Sequence, residues 1–298
     1  MILHFAPLTP DCADMLCRQF AVYGAHGRLC DYTPCVLLMF RERYRTEYAL
    51  EGGTLYLRMT EDGRLYDALP VGADLDGALD TLERHYGFAP DFCTVPEELL
   101  PRILARYPHA HVADDRDWYD YLYRTQDLAT LVGRHYHGQR NQIARFCRTY
   151  GEPQFLPLSR ENVHLALAFL DTYAASKQEM SEDAKEEILS VRELLENKNF
   201  YGQTGGILVA SDRVFGFVIG ERVGDTVFDH VEKADSSAVG AYQMLVNLFA
   251  RANADVPYMN REEDCGVEGL RKSKLSYRPI ALLKKYAVLN TENDEVSQ

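Results

Sequence analysis

A seven-residue pattern occurs twice in this chain of 298 residues, at positions 150 apart. Phe5-Ala-Pro7-Leu8-Thr9-Pro-Asp11 and Phe155-Leu-Pro157-Leu158-Ser159-Arg-Glu161 both read Phe-x-Pro-Leu-(Ser/Thr)-x-(Asp/Glu). Each copy reads as a short strand ending in a hydroxyl N-cap, followed by a helix with an acid in its first turn. The first helix carries Leu16, Phe20 and Tyr23, and the second carries Val163, Leu167, Leu170 and Tyr173. Gly52-Gly53-Thr-Leu-Tyr-Leu57 pairs in the same way with Gly205-Gly206-Ile-Leu-Val-Ala210, each Gly-Gly expected to open a strand. So long a period means two related halves rather than a solenoid. Length agrees, because a single core stops growing at about 250 residues.

The second half is legible in order. Residues 154–159 read as a strand, 161–175 and 182–196 as helices, and 205–211, 214–222 and 225–234 as a meander of strands. Residues 238–252 form an amphipathic helix with Val239, Tyr242, Leu245, Val246 and Phe249 on one face. A strand at 256–259, a helix at 267–275 and a strand region at 279–289 complete the half. A helix over about 128–149 precedes it. The boundaries expected from these signals are an N-terminal domain at 1–125, a connecting basic helix at 126–150 and a C-terminal domain at 151–298.

Lys+Arg 32 against Asp+Glu 45 gives a net charge of −13, which repels phosphate backbones and disfavours indiscriminate nucleic-acid binding, DNA included. The charge is unevenly placed. Residues 133–148 hold Arg134, Arg140, Arg145 and Arg148 with no acid, and 271–285 hold six Lys or Arg with no acid. At 100° per residue Arg134, His137, Asn141, Arg145 and Arg148 fall within an arc of about 80°. Such a face binds phosphate, of tRNA or a small anion, or is merely solvated. Seven cysteines without a C-x₂-C spacing read as reduced buried thiols rather than a zinc site, so no metal is expected. No apolar run is long enough to span a bilayer and no export signal opens the chain, which points to the cytoplasm.

The element order resembles the acetyltransferase (GNAT) fold in its tandem form. Asp120-Tyr-Leu-Tyr123, Gly133-Arg-His-Tyr-His137, Arg140-Asn141, His230-Val-Glu232-Lys233-Ala-Asp235, Asn260-Arg-Glu-Glu263-Asp264 and Tyr277-Arg-Pro279 resemble motifs of a bacterial family grouped with the C-terminal domain of phosphatidylglycerol lysyltransferase. The resemblance implies an α/β (α+β) fold of two tandem acetyltransferase-like domains, with mixed central sheets flanked by helices. It also implies kinship with aminoacyl-tRNA-dependent transferases of the lipid-modifying and peptidoglycan-bridging kinds.

Within that frame the candidate roles are specific. Glu232 is the expected general base, on one strand face with His230, while Asp229 and Val231 point the other way. A structural ion pair of Glu232 with Lys233 or Arg271 is the alternative. Lys233, Ser236, Ser237 and Gly240 stand where the fold cradles a thioester's pyrophosphate at a helix N-terminus, although Asp235 opposes a phosphate or simply caps the helix. Asn260, Arg261, Glu262 and Glu263 follow a short strand and would position the acceptor, with Glu263 close to the chemistry. Tyr277 resembles the tyrosine acid of related enzymes, and Arg134, His137, Arg140 and Asn141 would bind substrate. The expected activity moves an acyl group from acyl-CoA or aminoacyl-tRNA to an amine or hydroxyl of a small-molecule acceptor, without a resident cofactor. The alternative is a catalytically silent sensor of an anionic metabolite.

Overall fold

The computed structural model describes residues 2–177, 180–197 and 203–290. The strands in chain order are β1 (Ala6–Pro7), β2 (Glu47–Glu51), β3 (Thr54–Glu61), β4 (Arg64–Asp67), β5 (Phe92–Pro96), β6 (His111–Asp114), β7 (Asp120–Arg124), β8 (Gln154–Pro157), β9 (Thr204–Ala210), β10 (Arg213–Val223), β11 (Thr226–Ala234), β12 (Tyr258–Asn260), β13 (Ala281–Leu283) and β14 (Lys285–Leu289). The helices are α1 (Ala13–Tyr23), α2 (Pro34–Met39), α3 (Leu75–Tyr86), α4 (Leu100–Arg106), α5 (Thr125–Thr130), α6 (His137–Tyr150), α7 (Val163–Ala175), α8 (Glu182–Glu196), α9 (Ala241–Ala252) and α10 (Glu268–Ser276). Two compact units result. The first holds the chain up to Asp120, Glu263–Val267 and the described chain from Leu282; the second holds Tyr121–Glu262 and Glu268–Ala281. The basic helix α6 therefore belongs to the second unit.

Each unit is built on one mixed seven-stranded sheet, and the two sheets share one order. In the first unit it is β1-β2-β3-β4-β5-β14-β6, and in the second, read from the same edge, β8-β9-β10-β11-β12-β7-β13. The first four strands of each form an antiparallel meander. The fourth pairs in parallel with the fifth, β4 with β5 and β11 with β12. A parallel pair cannot be closed by a hairpin, and the crossover helices α3 and α9 supply the connection. α9 buries Ala241, Met244, Leu245, Val246, Phe249 and Ala250 along its apolar stripe. β10 and β11 are buried along most of their length; β10 reads apolar from Val214 to Ile219, whereas β11 carries Asp229, His230, Glu232 and Lys233 in its buried stretch. The α/β (α+β) class read from the sequence stands, with two mixed sheets flanked by helices.

The repeated heptad marks equivalent edge strands. Pro7 pairs with Glu47 and Pro157 with Gly206, and the amides of Leu8 and Leu158 donate to the neighbouring strand at 2.8 and 3.0 Å. Proline is tolerated at an edge because one side of the strand makes no ladder.

Three details of the sequence reading need correction. The two Gly-Gly pairs are not equivalent: Gly52 and Gly53 form the β2–β3 turn at φ 57° and 79°, whereas Gly205 and Gly206 lie inside β9. A Cβ on Gly206 would sit 2.2 Å from the Phe155 ring, so that glycine serves packing and not turning. The hydroxyls of Thr9 and Ser159 cap no helix; the Ser159 amide instead donates to Asn162 Oδ1 at 2.8 Å. The helix expected over 128–149 is broken, with Leu131 and Gly133 at positive φ (50° and 109°). Asn247 Nδ2 donates to the Leu128 and Ala129 carbonyls at 2.7 and 2.8 Å, satisfying the end of α5.

The sixth position of each sheet is filled by a strand remote in sequence from its neighbours, β14 in one and β7 in the other. β14 is hydrogen-bonded on both sides, to β5 and to β6. A chain ending at Leu283 should therefore lose amide-exchange protection in β5 and β6 while β9 to β11 keep theirs. Unchanged protection in β5 and β6 would show that β14 is dispensable to that sheet.

Candidate functional site

The second unit holds a buried ionic network on β10, β11 and the segment after β12, and a one-residue irregularity in the sheet creates it. β11 pairs regularly with β10 up to Ile219↔Val231, and the next pair is Gly220↔Asp229, so His230 is an extra residue. Such a bulge resets the inside–outside alternation. His230 and Glu232 consequently do not share a face as strict alternation predicts. Asp229 and Glu232 turn to the same guanidinium, and His230 turns to other partners. The bulge needs Gly220, where a Cβ would lie 2.0 Å from the Phe228 carbonyl oxygen.

Arg261 holds Glu232 by both oxygens, with Nη2 at 2.7 and 2.9 Å and Nε at 3.1 Å from Oε1, and Nε lies 3.4 Å from Asp229 Oδ2. The guanidinium lies 5.0 Å from the Tyr277 ring centroid and 5.9 Å from that of Tyr123. Lys274 Nζ donates to the Arg261 carbonyl at 2.5 Å. Arg261 is 6 % exposed, yet its Nη1 and Asp229 Oδ1 find no hydrogen-bond partner among the described residues. Burial, and then the Glu232 charge, push the Asp229 carboxyl well above its usual range. Burial would also raise Glu232, but Arg261 holds it below its usual value. Glu232 is thus an ionised, bidentate partner of Arg261 and not of Lys233 or Arg271. Burial raises the pKa of the Tyr277 phenol.

His230 sits between two carboxylates, Nε2 to Glu221 Oε1 at 2.9 Å and Nδ1 to Glu262 Oε1 at 2.6 Å. Burial alone would lower its pKa; the bonds to Glu221 and Glu262 instead raise it to about 10, and the ring is an imidazolium donating from both nitrogens. Glu262 adopts a left-handed backbone at φ 53°, and its amide donates to Asn260 Oδ1 at 2.6 Å.

The loop from β11 to α9 is closed on itself. Asp235 Oδ1 accepts from the Ser237 amide at 2.9 Å and its hydroxyl at 2.6 Å, the Ala238 amide donates to the Asp235 carbonyl, and Arg213 pairs with the same carboxylate. Gly240, at φ 89°, is required by α6, because a Cβ there would lie 2.2 Å from the Gln142 carbonyl oxygen. Lys233 pairs with Glu187 at 2.6 Å. On the basic segment, Arg140 donates to the Leu131 and Gly133 carbonyls and Asn141 Nδ2 donates to His137 Nε2 at 3.0 Å. Arg134, Arg145, Arg148 and Arg278 are exposed and make no ion pair among the described residues.

Glu263 lies in the first unit, in a cluster that sequence reasoning missed. Lys285 Nζ is 2.6 Å from Asp31, 3.1 Å from Asp120 and 3.7 Å from Glu263, with the Cys30 thiol 3.8 Å away. Cys30, Asp31 and Asp120 could together hold a cation, but the Lys285 ammonium sits among them. Burial, and then Asp120 and Glu263, push the Cys30 thiol up, so it stays protonated. In the second unit the sequence also missed Glu221, Tyr123 and Lys274. Glu221 was the readable one, as an acid inside the apolar run of β10.

The sequence signature of the family described as phosphatidylglycerol lysyltransferase, C-terminal, matches residues 27–289, and the chain belongs to that family. A conserved protein of Bacteroides thetaiotaomicron shares 31 % identity at a TM-score of 0.85, covering 97 % of this chain and all of that one. The C-terminal domain of a lysylphosphatidylglycerol synthetase from Agrobacterium fabrum has the same fold at 11 % identity and a TM-score of 0.64, covering 96 % of this chain and 95 % of that one. L-PGS of Bacillus licheniformis matches at 13 % identity and 0.63, covering 95 % and 93 %. An uncharacterised protein of Mycoplasmoides gallisepticum is 24 % identical over 177 residues; the match spans 57 % of this chain and about half of that relative, 55 %. No helix among the described residues is long and apolar enough to cross a membrane.

His230 gives a signed pH prediction. Its folded pKa lies above the unfolded value of 6.5, so its stabilisation is complete below about pH 6.5 and is lost as pH rises through about 10. The stability difference between the wild type and His230→Asn, measured by urea unfolding, should shrink between pH 7 and pH 10.5. A difference independent of pH would contradict the imidazolium.

Proposed function

We propose that the protein is an aminoacyl transferase that takes its donor from aminoacyl-tRNA and acts through the second unit. One contrast carries the choice between the two donors. The loop that would cradle a thioester's pyrophosphate spends its Ser237 amide and hydroxyl on its own Asp235, while the exposed Arg134, Arg145, Arg148 and Arg278 have no acidic partner among the described residues. A phosphate group at the loop would have to displace a carboxylate and endure its charge. A polyanion on the arginine face meets no such competition. The acceptor remains an amine or hydroxyl of a small molecule. The family's description names a phosphatidylglycerol lysyltransferase, which makes a lysyl donor with that lipid the first pair to assay.

The silent-sensor reading draws on a different observation, that both oxygens of Glu232 are held by Arg261, so the expected base is not free.

Binding separates the donors. tRNA should raise the melting temperature and acyl-CoA thioesters should not. Arg145→Gln with Arg148→Gln should weaken tRNA binding and reduce the slope of log K against log salt by about 2, near 0.9 per lost phosphate contact. Stabilisation by a CoA thioester and not by tRNA would replace the donor assigned above.

A further inference from the structure

In the first unit a thiol and an ammonium are buried against one another. Cys30 is 3 % exposed and the Lys285 side chain 6 %, and Sγ lies 3.8 Å from Nζ across 255 residues of chain. Charge pairing accounts for the lysine, since Asp31 at 2.6 Å and Asp120 at 3.1 Å compensate its burial. It does not account for the thiol, which brings no charge to the pair. Yet Cys30 is firmly placed. Its amide donates to Asp120 Oδ2 at 2.8 Å, and its carbonyl accepts from the Thr33 hydroxyl at 2.7 Å.

The carboxylates that hold the ammonium also reach the sulfur. Glu263 Oε2 lies 3.4 Å from Sγ, Asp120 Oδ1 3.5 Å and Asp31 Oδ2 3.9 Å. Each nucleophile therefore has a proton acceptor beside it. The Asp31 and Glu263 side chains are 27 % and 18 % exposed, which gives protons a way from the cluster to solvent.

We propose that Cys30 and Lys285 form a site of oxidative modification, in which one oxygen atom joins Sγ to Nζ as an S–O–N bridge and dioxygen is the oxidant. The Cys30 sulfur takes up dioxygen while its proton moves by way of Glu263 to the terminal oxygen, giving S–O–O–H. The Lys285 ammonium gives one proton to Asp31 and so to solvent. The freed nitrogen lone pair attacks the sulfur-bound oxygen; the N–O bond forms and the O–O bond breaks. The departing hydroxide takes a second nitrogen proton and leaves as water. Sulfur and nitrogen each give up two electrons, and the four reduce the two oxygen atoms. The fixed contact replaces the chance encounter that such a bond otherwise needs. The bridge ties β14 covalently to the segment before α2 and closes a loop of 255 residues.

The test holds the full chain, reduced and then freed of reductant, in air-saturated and in oxygen-free buffer and maps its peptides by mass. Air should yield one linked species joining the peptides of Cys30 and Lys285, about 14 Da heavier than their sum, for one oxygen gained and two hydrogens lost. Dithiothreitol should release both peptides unmodified, and the oxygen-free sample should lack the link. The bridged protein should melt several degrees above the reduced one, and Cys30→Ser should show neither the link nor the gain. Cys30 recovered as a free thiol from the air-treated wild type overturns the proposal. So does a sulfenic or sulfinic acid, or a disulfide, at Cys30 with Lys285 unmodified.

Discussion

His230 has no partner opposite it in β10, and that single extra residue decides which charges of the second unit meet. With regular pairing, His230 and Glu232 would compete for one face and Asp229 would point away from Arg261. With the bulge, Asp229 and Glu232 share Arg261, while His230 is free to bridge Glu221 and Glu262. Two separate charge systems arise from adjacent residues of one strand. Each brings cation and carboxylate into close contact, which a buried charge requires. Removing Gly220 would undo both, since the close approach of Phe228 leaves no room for a Cβ.

The first unit solves a related problem by a different route. Its buried Asp120 and half-buried Asp31 and Glu263 come from three distant parts of the chain, and Lys285, brought in by β14, lies among them. The strand that completes the sheet also carries the charge that makes the acids tolerable there. This couples the last described strand to residues near position 30 more strongly than sheet hydrogen bonds alone would.

The sequence disclosed those features that depend on periodicity. The meander of β9 to β11, the stripe of α9 and the edge strands at Pro7 and Pro157 all follow from spacing that a local window contains. The features it concealed depend on pairing. A bulge has no local signature in His230-Val-Glu232, so the two residues read as neighbours on one face. Lys285 reads as one of a run of basic residues with no acid nearby, because its partners lie about 20 to 255 residues away in sequence. The glycine pairs misled for the same reason, since Gly-Gly suits a tight turn at Gly52-Gly53 and a crowded strand at Gly205-Gly206 equally well.

A further regularity bears on anion selection. In both crossover loops an aspartate takes up backbone donors: Asp235 accepts from the Ser237 amide in the turn before α9, and Asp74 accepts from the Gly77 amide at the start of α3. At α3 the Asp74 carboxylate caps the helix and meets the donors and dipole that an anionic ligand would, whereas α9 begins at Ala241 behind Gly240 and Asp235 holds only the turn ahead of it. An external pyrophosphate must therefore outcompete an internal group at each loop. The arginines of α6 carry no such internal competitor, because residues 133–148 contain no acid. Although the chain's net charge is −13, acids are thus excluded from residues 133–148. An anion large enough to span several arginines gains there what a small anion at a loop cannot.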